Sequence, residues 1–252
     1  MIGTIFFLTI RQLCGKRRLI LAIVLACIPL GLAITIQANA GSWNNSEIAE
    51  FTQSALMGIV IAVVMPFICL PNATSAIGQE IEDGTILYLL TKPISRTQII
   101  IEKFFGATIV AAATVTTAVI ISLIIVPGGY TYIVPAIATL TIGTLCYSAV
   151  FLALSTITRK SMIVGVAYVA LIEIILQGFI SDTSYLSISA YCFRIFELIN
   201  NEGRIFTGGG IDNWYAPNTG LGVSLGVLIA VTFTSLFLSK RLLESREAPQ
   251  DD

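Results

Sequence analysis

Gly78-Gln79-Glu80-Ile81-Glu82-Asp83-Gly84-Thr85-Ile86-Leu87-Tyr88-Leu89-Leu90-Thr91-Lys92-Pro93-Ile94-Ser95-Arg96 is a charged interval between two long apolar stretches. Gln79–Leu90 reads as one short helix. Thr91-Lys92-Pro93 ends it, because a proline disfavours helical backbone at the residue before it. Ser95 has the side chain of an N-cap, which starts a second helix at Arg96 and runs it through Lys103 into the next apolar stretch. Two short helices around a tight proline turn make a stiff protrusion, and a stiff protrusion transmits force. The same residues also suit an ordinary charged connection that only fixes the order of the spans.

Working outward, the chain holds six apolar stretches: Leu19–Ile36, Ala55–Ile77, Phe104–Val126, Ile133–Ile157, Met162–Ile180 and Leu221–Leu238. Each is long enough, at ~1.5 Å per residue, to cross a hydrocarbon core of about 30 Å. Hydrophobic residues make up 56% of the 252 and charged residues 12%, which is more apolar surface than a water-soluble domain of this size can hide. Backbone groups in lipid must be satisfied within the segment, and the runs lack the alternation of barrel strands, so all six are expected to be helices. The expected fold is an all-α membrane protein of one domain, residues 1–252. It divides into an interfacial helix with its basic flank (1–18), spans one to five (19–180), an external segment (181–220), and the sixth span with its tail (221–252).

The basic residues set the orientation. Arg11, Lys16, Arg17, Arg18, Lys92, Arg96, Lys103, Arg159, Lys160, Lys240, Arg241 and Arg246 fall on one side of a six-span chain, and only Arg194 and Arg204 on the other. The positive-inside rule then places both termini in the cytoplasm and the protein, multi-pass, in the plasma (inner) membrane. Ala38-Asn39-Ala40 resembles a signal-peptidase site, but the apolar run before it exceeds the usual ~7–15 residues, so the first span is expected to stay. Residues 1–14 suit a short helix in the cytoplasmic interface. Ile188, Cys192, Ile195, Phe196 and Ile199 recur at helical spacing in the external segment, with Arg194, Glu197 and Asn200 opposite. This predicts a helix lying on, or dipping into, the outer interface.

Several functions are excluded by composition. The chain has no histidine, which removes Ser-His-Asp triads, HExxH zinc sites and His-ligated haem. A GxxxxGK[ST] phosphate loop is absent, and the net charge of −1 argues against nucleic acid as a partner. The five cysteines read as small buried hydrophobes, and of them only Cys192 is placed on the oxidising side. No catalytic or metal-binding set can be assembled, so the chain is not expected to be an enzyme.

Polar residues inside the spans are the other candidates. Glu173 sits about twelve residues into the fifth span, with Gln177 one turn later on the same face. A carboxyl at that depth costs roughly 2.5–3.5 kcal/mol on insertion scales and needs a partner or a cavity. It either lines a translocation path or serves as hydrogen-bonded glue between helices. Pro66 and Pro71 are expected to kink the second span, with Asn72, Thr74 and Ser75 re-satisfying the freed carbonyls. A kink directly above the protrusion suits a hinge, although prolines are also common in membrane helices. Gly143, Ser148, Gly165 and Ala167 permit close helix packing.

The Glu-rich start, Gly84-Thr85, Leu89-Leu90, Pro93-Ile94-Ser95-Arg96 and Lys103 together resemble the permease subunits of type-2 ATP-binding-cassette (ABC) exporters. The similarity is greatest to the small stand-alone permeases whose ATPase is a separate chain. The order of parts matches along the whole chain, and specific residues match over about 78–105. The resemblance implies that Glu80–Lys103 contains a coupling helix docking on a cytoplasmic ABC ATPase dimer. The coupling residues it implies are Glu80, Glu82, Asp83, Gly84, Thr85, Leu87, Leu90, Pro93, Ser95 and Arg96. It also implies a second permease copy or a paralogue, with ATP and Mg held by the ATPase and no cofactor by this chain. The implied function is ATP-driven export of a substrate. The long external segment suits an alternative, in which a subunit of the same fold passes ATP-driven motion to an extracytoplasmic protein partner and transports nothing.

Overall fold

A computed structural model describes residues 8, 9, 13, 15–82, 96–158, 160–176, 187–200 and 217–245. The described residues form α1 (Lys16–Asn39) and α2, a continuous helical run that opens with Asn45–Phe51 and closes with Met65–Glu82. They continue with α3 (Arg96–Ile125), a 3-10 turn (Gly129–Tyr132) and α4 (Ile133–Ile157). After these come α5 (Ser161–Tyr168, prolonged by the wide π turns of Val169–Leu176), α6 (Ile188–Asn200) and α7 (Leu221–Ser245).

Among the described residues five helices are long and apolar enough to cross a membrane: Ile20–Asn39, Asn45–Gly78, Thr97–Ile125, Gly129–Ile157 and Leu221–Leu243. They correspond to five of the six expected spans. The remaining one, expected over Met162–Ile180, is described only to Leu176, and its long apolar part is the shorter Ser161–Glu173.

Local sequence explains the breaks. Asn44 caps α2 in a reciprocal box, its backbone N–H donating to the Glu47 carboxylate at 2.8 Å. Between α3 and α4 the chain reverses at Gly128, whose φ of 74° is a left-handed value that side chains resist. A Cβ at the next residue, Gly129, would sit 2.3 Å from the Leu123 carbonyl oxygen, so the turn needs both glycines.

Of the five long helices α2 and α4 are the most enclosed, and the others pack around them. Large apolar side chains point outward along α1, α3 and α7, among them Ile23, Ile124, Val223, Phe233 and Phe237. In water such a surface would aggregate; in lipid it is the ordinary outer face. Lipid offers no hydrophobic drive between helices, so close approach at small residues must hold the bundle. Gly143 and Gly165 do this as expected. A Cβ on Gly143 would lie 2.7 Å from Met65 Sδ and 3.0 Å from Cys192 Sγ, and one on Gly165 would lie 2.1 Å from Leu70 Cδ1. Ala167, by contrast, is exposed.

The two ends of the bundle differ. At one end the C-terminus of α2, the start of α3 and the α4–α5 junction meet; Lys160 lies there, and it is called the basic end below. At the far end Gln53 of α2 donates to the Tyr132 hydroxyl at 2.8 Å.

Four expectations are corrected. The second span does not end at Ile77 before a separate loop helix, because α2 continues unbroken through Glu82. α6 does not lie on the surface of the bundle: Ile188, Tyr191, Cys192, Phe193, Ile195 and Phe196 are buried against α4, α7 and the π turns of Val60–Val64. Glu197, expected on the polar face, is buried too, and Cys192 is enclosed in the core rather than open to an oxidising compartment. The apolar content of α6 covers most of its circumference, and the spacing of five residues understated it.

Candidate functional site

Two constellations hold the polar chemistry, one at the basic end and one in the middle of the bundle. At the basic end α2 and α3 run to the edges of residues 83–95. Glu80 and Glu82 lie on the last turn of α2 and Arg96 opens α3, but their side chains are not among those described. Asp83, Gly84, Thr85, Leu87, Leu90, Pro93 and Ser95 lie outside the described residues, as does Gln177.

The root of this segment is tightly built. Lys103, 1% exposed on α3, reaches across and donates from Nζ to the Ala76 carbonyl of α2. A buried ammonium is tolerated only with such partners. One turn earlier Gln98 donates to the Glu102 carboxylate at 2.9 Å. Gly78 brings α2 against the α4–α5 junction; a Cβ there would stand 3.1 Å from Ser161 Oγ and 3.6 Å from Ser155 Cβ. Four helices therefore meet within one or two turns of Glu82 and Arg96, the described residues that flank 83–95. In the sequence Lys103 stands as a topology charge, a helix residue and part of the family resemblance, and nothing in its neighbours betrays the cross-helix bond.

Above the root α2 changes its winding. Thr52–Met57 and Val60–Val64 are π turns, and Pro66 and Pro71 follow directly. The expected repair of proline-freed carbonyls is corrected by the bonds observed. Asn72 Nδ2 and Thr74 Oγ1 donate to the carbonyls of Ile68 and Leu70, at 2.8 and 2.7 Å, and Ser75 Oγ donates to that of Pro71. Each is the carbonyl four residues back, not Ala62 or Phe67, which Pro66 and Pro71 free. Such back-bonding bends helices in its own right.

The mid-bundle constellation centres on Glu173, which is fully buried in the π turns of α5. Its carboxyl group receives four donors. The backbone N–H groups of Ile188 and Ser189 reach it at 3.2 Å each, and the Ser189 hydroxyl at 2.6 Å. The Ser187 hydroxyl completes the set. Ser187 Oγ also accepts the Ala190 N–H at 3.3 Å, as an N-cap does. Thus Glu173 and Ser187 satisfy three of the four N–H groups that a helix start leaves open. All four contacts donate into the carboxyl oxygens. Tyr147 and Tyr168 lie within electrostatic range of it.

Between its two readings for Glu173, lining a path or gluing spans, the sequence did not foresee a helix cap. Ser187-x-Ser189 ahead of an amphipathic run is N-cap chemistry, and it is the signal that would have found the contact. Further along α6, Arg194 pairs with Glu197 at 3.0 Å and donates from Nε to the Thr219 carbonyl at 2.8 Å, just before α7.

The family profile described as ABC-2 family transporter protein matches residues 9–193. The chain belongs to this family. The match begins ahead of α1 and ends at Phe193 within α6, so the bundle up to the Glu173 cluster lies inside it and α7 beyond it. Comparison with curated proteins gave no significant match. An ABC-2 chain with these helices is a multi-pass membrane component of an ABC transporter, and the expected resemblance is thereby met.

Proposed function

We propose that this ABC-2 protein is a permease subunit that couples ATP hydrolysis on a separate cytoplasmic ATPase chain to export of a substrate through the inner membrane. Residues 83–95, with the turns flanking them, dock on the ATPase; ATP and Mg belong to that partner. Two copies, or this chain and a paralogue, stand on an ATPase dimer, with all termini in the cytoplasm.

The observation that carries the reading is the built root at the basic end. Lys103 bonded to the Ala76 carbonyl, and Gly78 seated against Ser161, tie α2, α3 and α5 together at the helix ends that flank the docking segment in the sequence. A displacement of that segment therefore moves three helices at once. The π turns and Pro66 and Pro71 above the root make α2 a helix that can flex. In lipid a helix bends where its backbone ladder is already interrupted.

The test is co-purification of the tagged chain with an ABC ATPase from a neighbouring reading frame, followed by ATP turnover and uptake into inverted vesicles. A stable complex whose turnover depends on this chain supports the permease reading. A complex that hydrolyses ATP, moves nothing, and captures an extracytoplasmic protein favours the motion-transmitting alternative, which the link from α6 into residues 201–216 suits. No complex with any ATPase contradicts both.

A further inference from the structure

We infer that Glu173 is the positioning residue of α6: its carboxyl group, carried on α5, holds the buried start of α6 in the bundle core and makes α6 move with α5. The depth of the contact is what makes this informative. Glu173 follows Ser161 by 12 residues, about 18 Å along α5 from the basic end. Tyr147, within electrostatic range of Glu173, lies 14 residues or about 21 Å along α4 from the far end. Both measures place the start of α6 near the middle of the hydrocarbon layer. From there α6 passes Gly143, where Cys192 packs, and its Arg194 reaches Thr219 ahead of α7. It is a helix that begins inside the membrane and rises to the far end.

A helix start at that depth has no water to take its open N–H groups, so something in the bundle must. Glu173 and the two serines do so, and the positive end of the helix favours a carboxyl group there. The residues joining α5 to α6 give a covalent link, but Glu173 gives a direct one from the middle of α5 to the first turn of α6. At its other end α5 begins at Ser161, against Gly78. On the function proposed above, motion at the docking root then reaches α6 through α5 rather than around it.

Cys192 is a built-in reporter of this seat, because it is buried between α4 and α6. Cys69 and Cys146 are buried beside it, Cys146 within electrostatic range of Glu173, so the controls are thiols placed at two other buried positions, Ala107→Cys on α3 and Ala33→Cys on α1. Three proteins are made, one keeping Cys192 alone and the others carrying Ala107→Cys or Ala33→Cys with all five native cysteines replaced. Each is purified into lipid nanodiscs without ATPase and labelled with N-ethylmaleimide. Glu173→Leu should raise the labelling rate of Cys192 at least about tenfold and leave the thiols at positions 33 and 107 within about twofold. Ser187→Ala with Ser189→Ala should raise it in the same selective way, and Glu173→Gln, which keeps one acceptor oxygen, by less. If Glu173→Leu fails to purify, the serine pair and Glu173→Gln decide the matter alone. Unchanged protection of Cys192 in the variants that purify would overturn the inference. So would an equal rise at all three thiols, which marks general loosening. Since no ATPase is present, this outcome is separate from the fate of the proposed function.

Discussion

Replacing Gly143 by Ala adds one methyl group where three helices converge. The new Cβ would lie 2.7 Å from Met65 Cε and Sδ and 3.0 Å from Cys192 Sγ. Overpacking of this kind costs about 1–3 kcal/mol, while Gly to Ala inside a helix gains about 1 kcal/mol. The net for Gly143→Ala is a loss of roughly 0–2 kcal/mol. Gly226, inside α7, is the control: a Cβ there meets nothing within 4 Å, so only the gain of about 1 kcal/mol remains. At ~2–4 °C per kcal/mol for a chain of this size, Gly226→Ala should raise Tm by about 2–4 °C. Gly143→Ala should fall between no change and a drop of about 8 °C. Thermal unfolding of the purified chain in one detergent, read by size-exclusion chromatography, measures both. Met65→Ala should cost at least about 0.5 kcal/mol less in the Gly143→Ala background than alone, because the two share the crowded space. A rise for Gly143→Ala equal to that for Gly226→Ala would refute the close approach of α2, α4 and α6.

Topology is checked with single cysteines at positions 92 and 212 in a background without native cysteines. A membrane-impermeant maleimide should label 212 and not 92 from outside intact cells, and the reverse pattern would invert the bundle. Tyr132→Phe removes the hydroxyl that accepts from Gln53 in a buried site and should cost about 1 kcal/mol, seen as a Tm drop of a few degrees. Glu82→Ala should weaken capture of the ATPase less than a charge placed among Ile86, Leu87 and Leu90, since apolar anchors dominate interfaces and rim charges tune them.

The spans were legible because apolar length is an additive property of sequence. Leu19–Ile36 and Ile133–Ile157 appear as Lys16–Asn39 and Ile133–Ile157 with only their ends adjusted. Gly143 and Gly165 were legible as contacts because a missing side chain has one principal use in a membrane helix. The fate of α6 was not. An amphipathic pattern says that one face is apolar, but not whether a surface or a core covers the other, and Glu197 was misread for that reason. Glu173 was flagged by its cost in lipid, and its partners were hidden because Ser187 and Ser189 follow 14 and 16 residues later, on another helix. Lys103 shows the same limit: a basic residue near a span end reads as topology until a carbonyl 27 residues earlier is found beside it.

The central claim is that residues 83–95 transmit ATP-driven motion into a root formed by α2, α3 and α5. Its most direct measurement is ATP turnover of the reconstituted complex, together with ATPase co-purification, for native chain and for Leu87→Asp and Leu90→Asp. A desolvated apolar anchor typically contributes 2 kcal/mol or more, so each variant should lower ATPase capture by roughly 30-fold or abolish turnover that depends on the permease. If charged residues throughout this segment leave both capture and coupled turnover intact, the segment is a plain connection and the coupling claim is wrong.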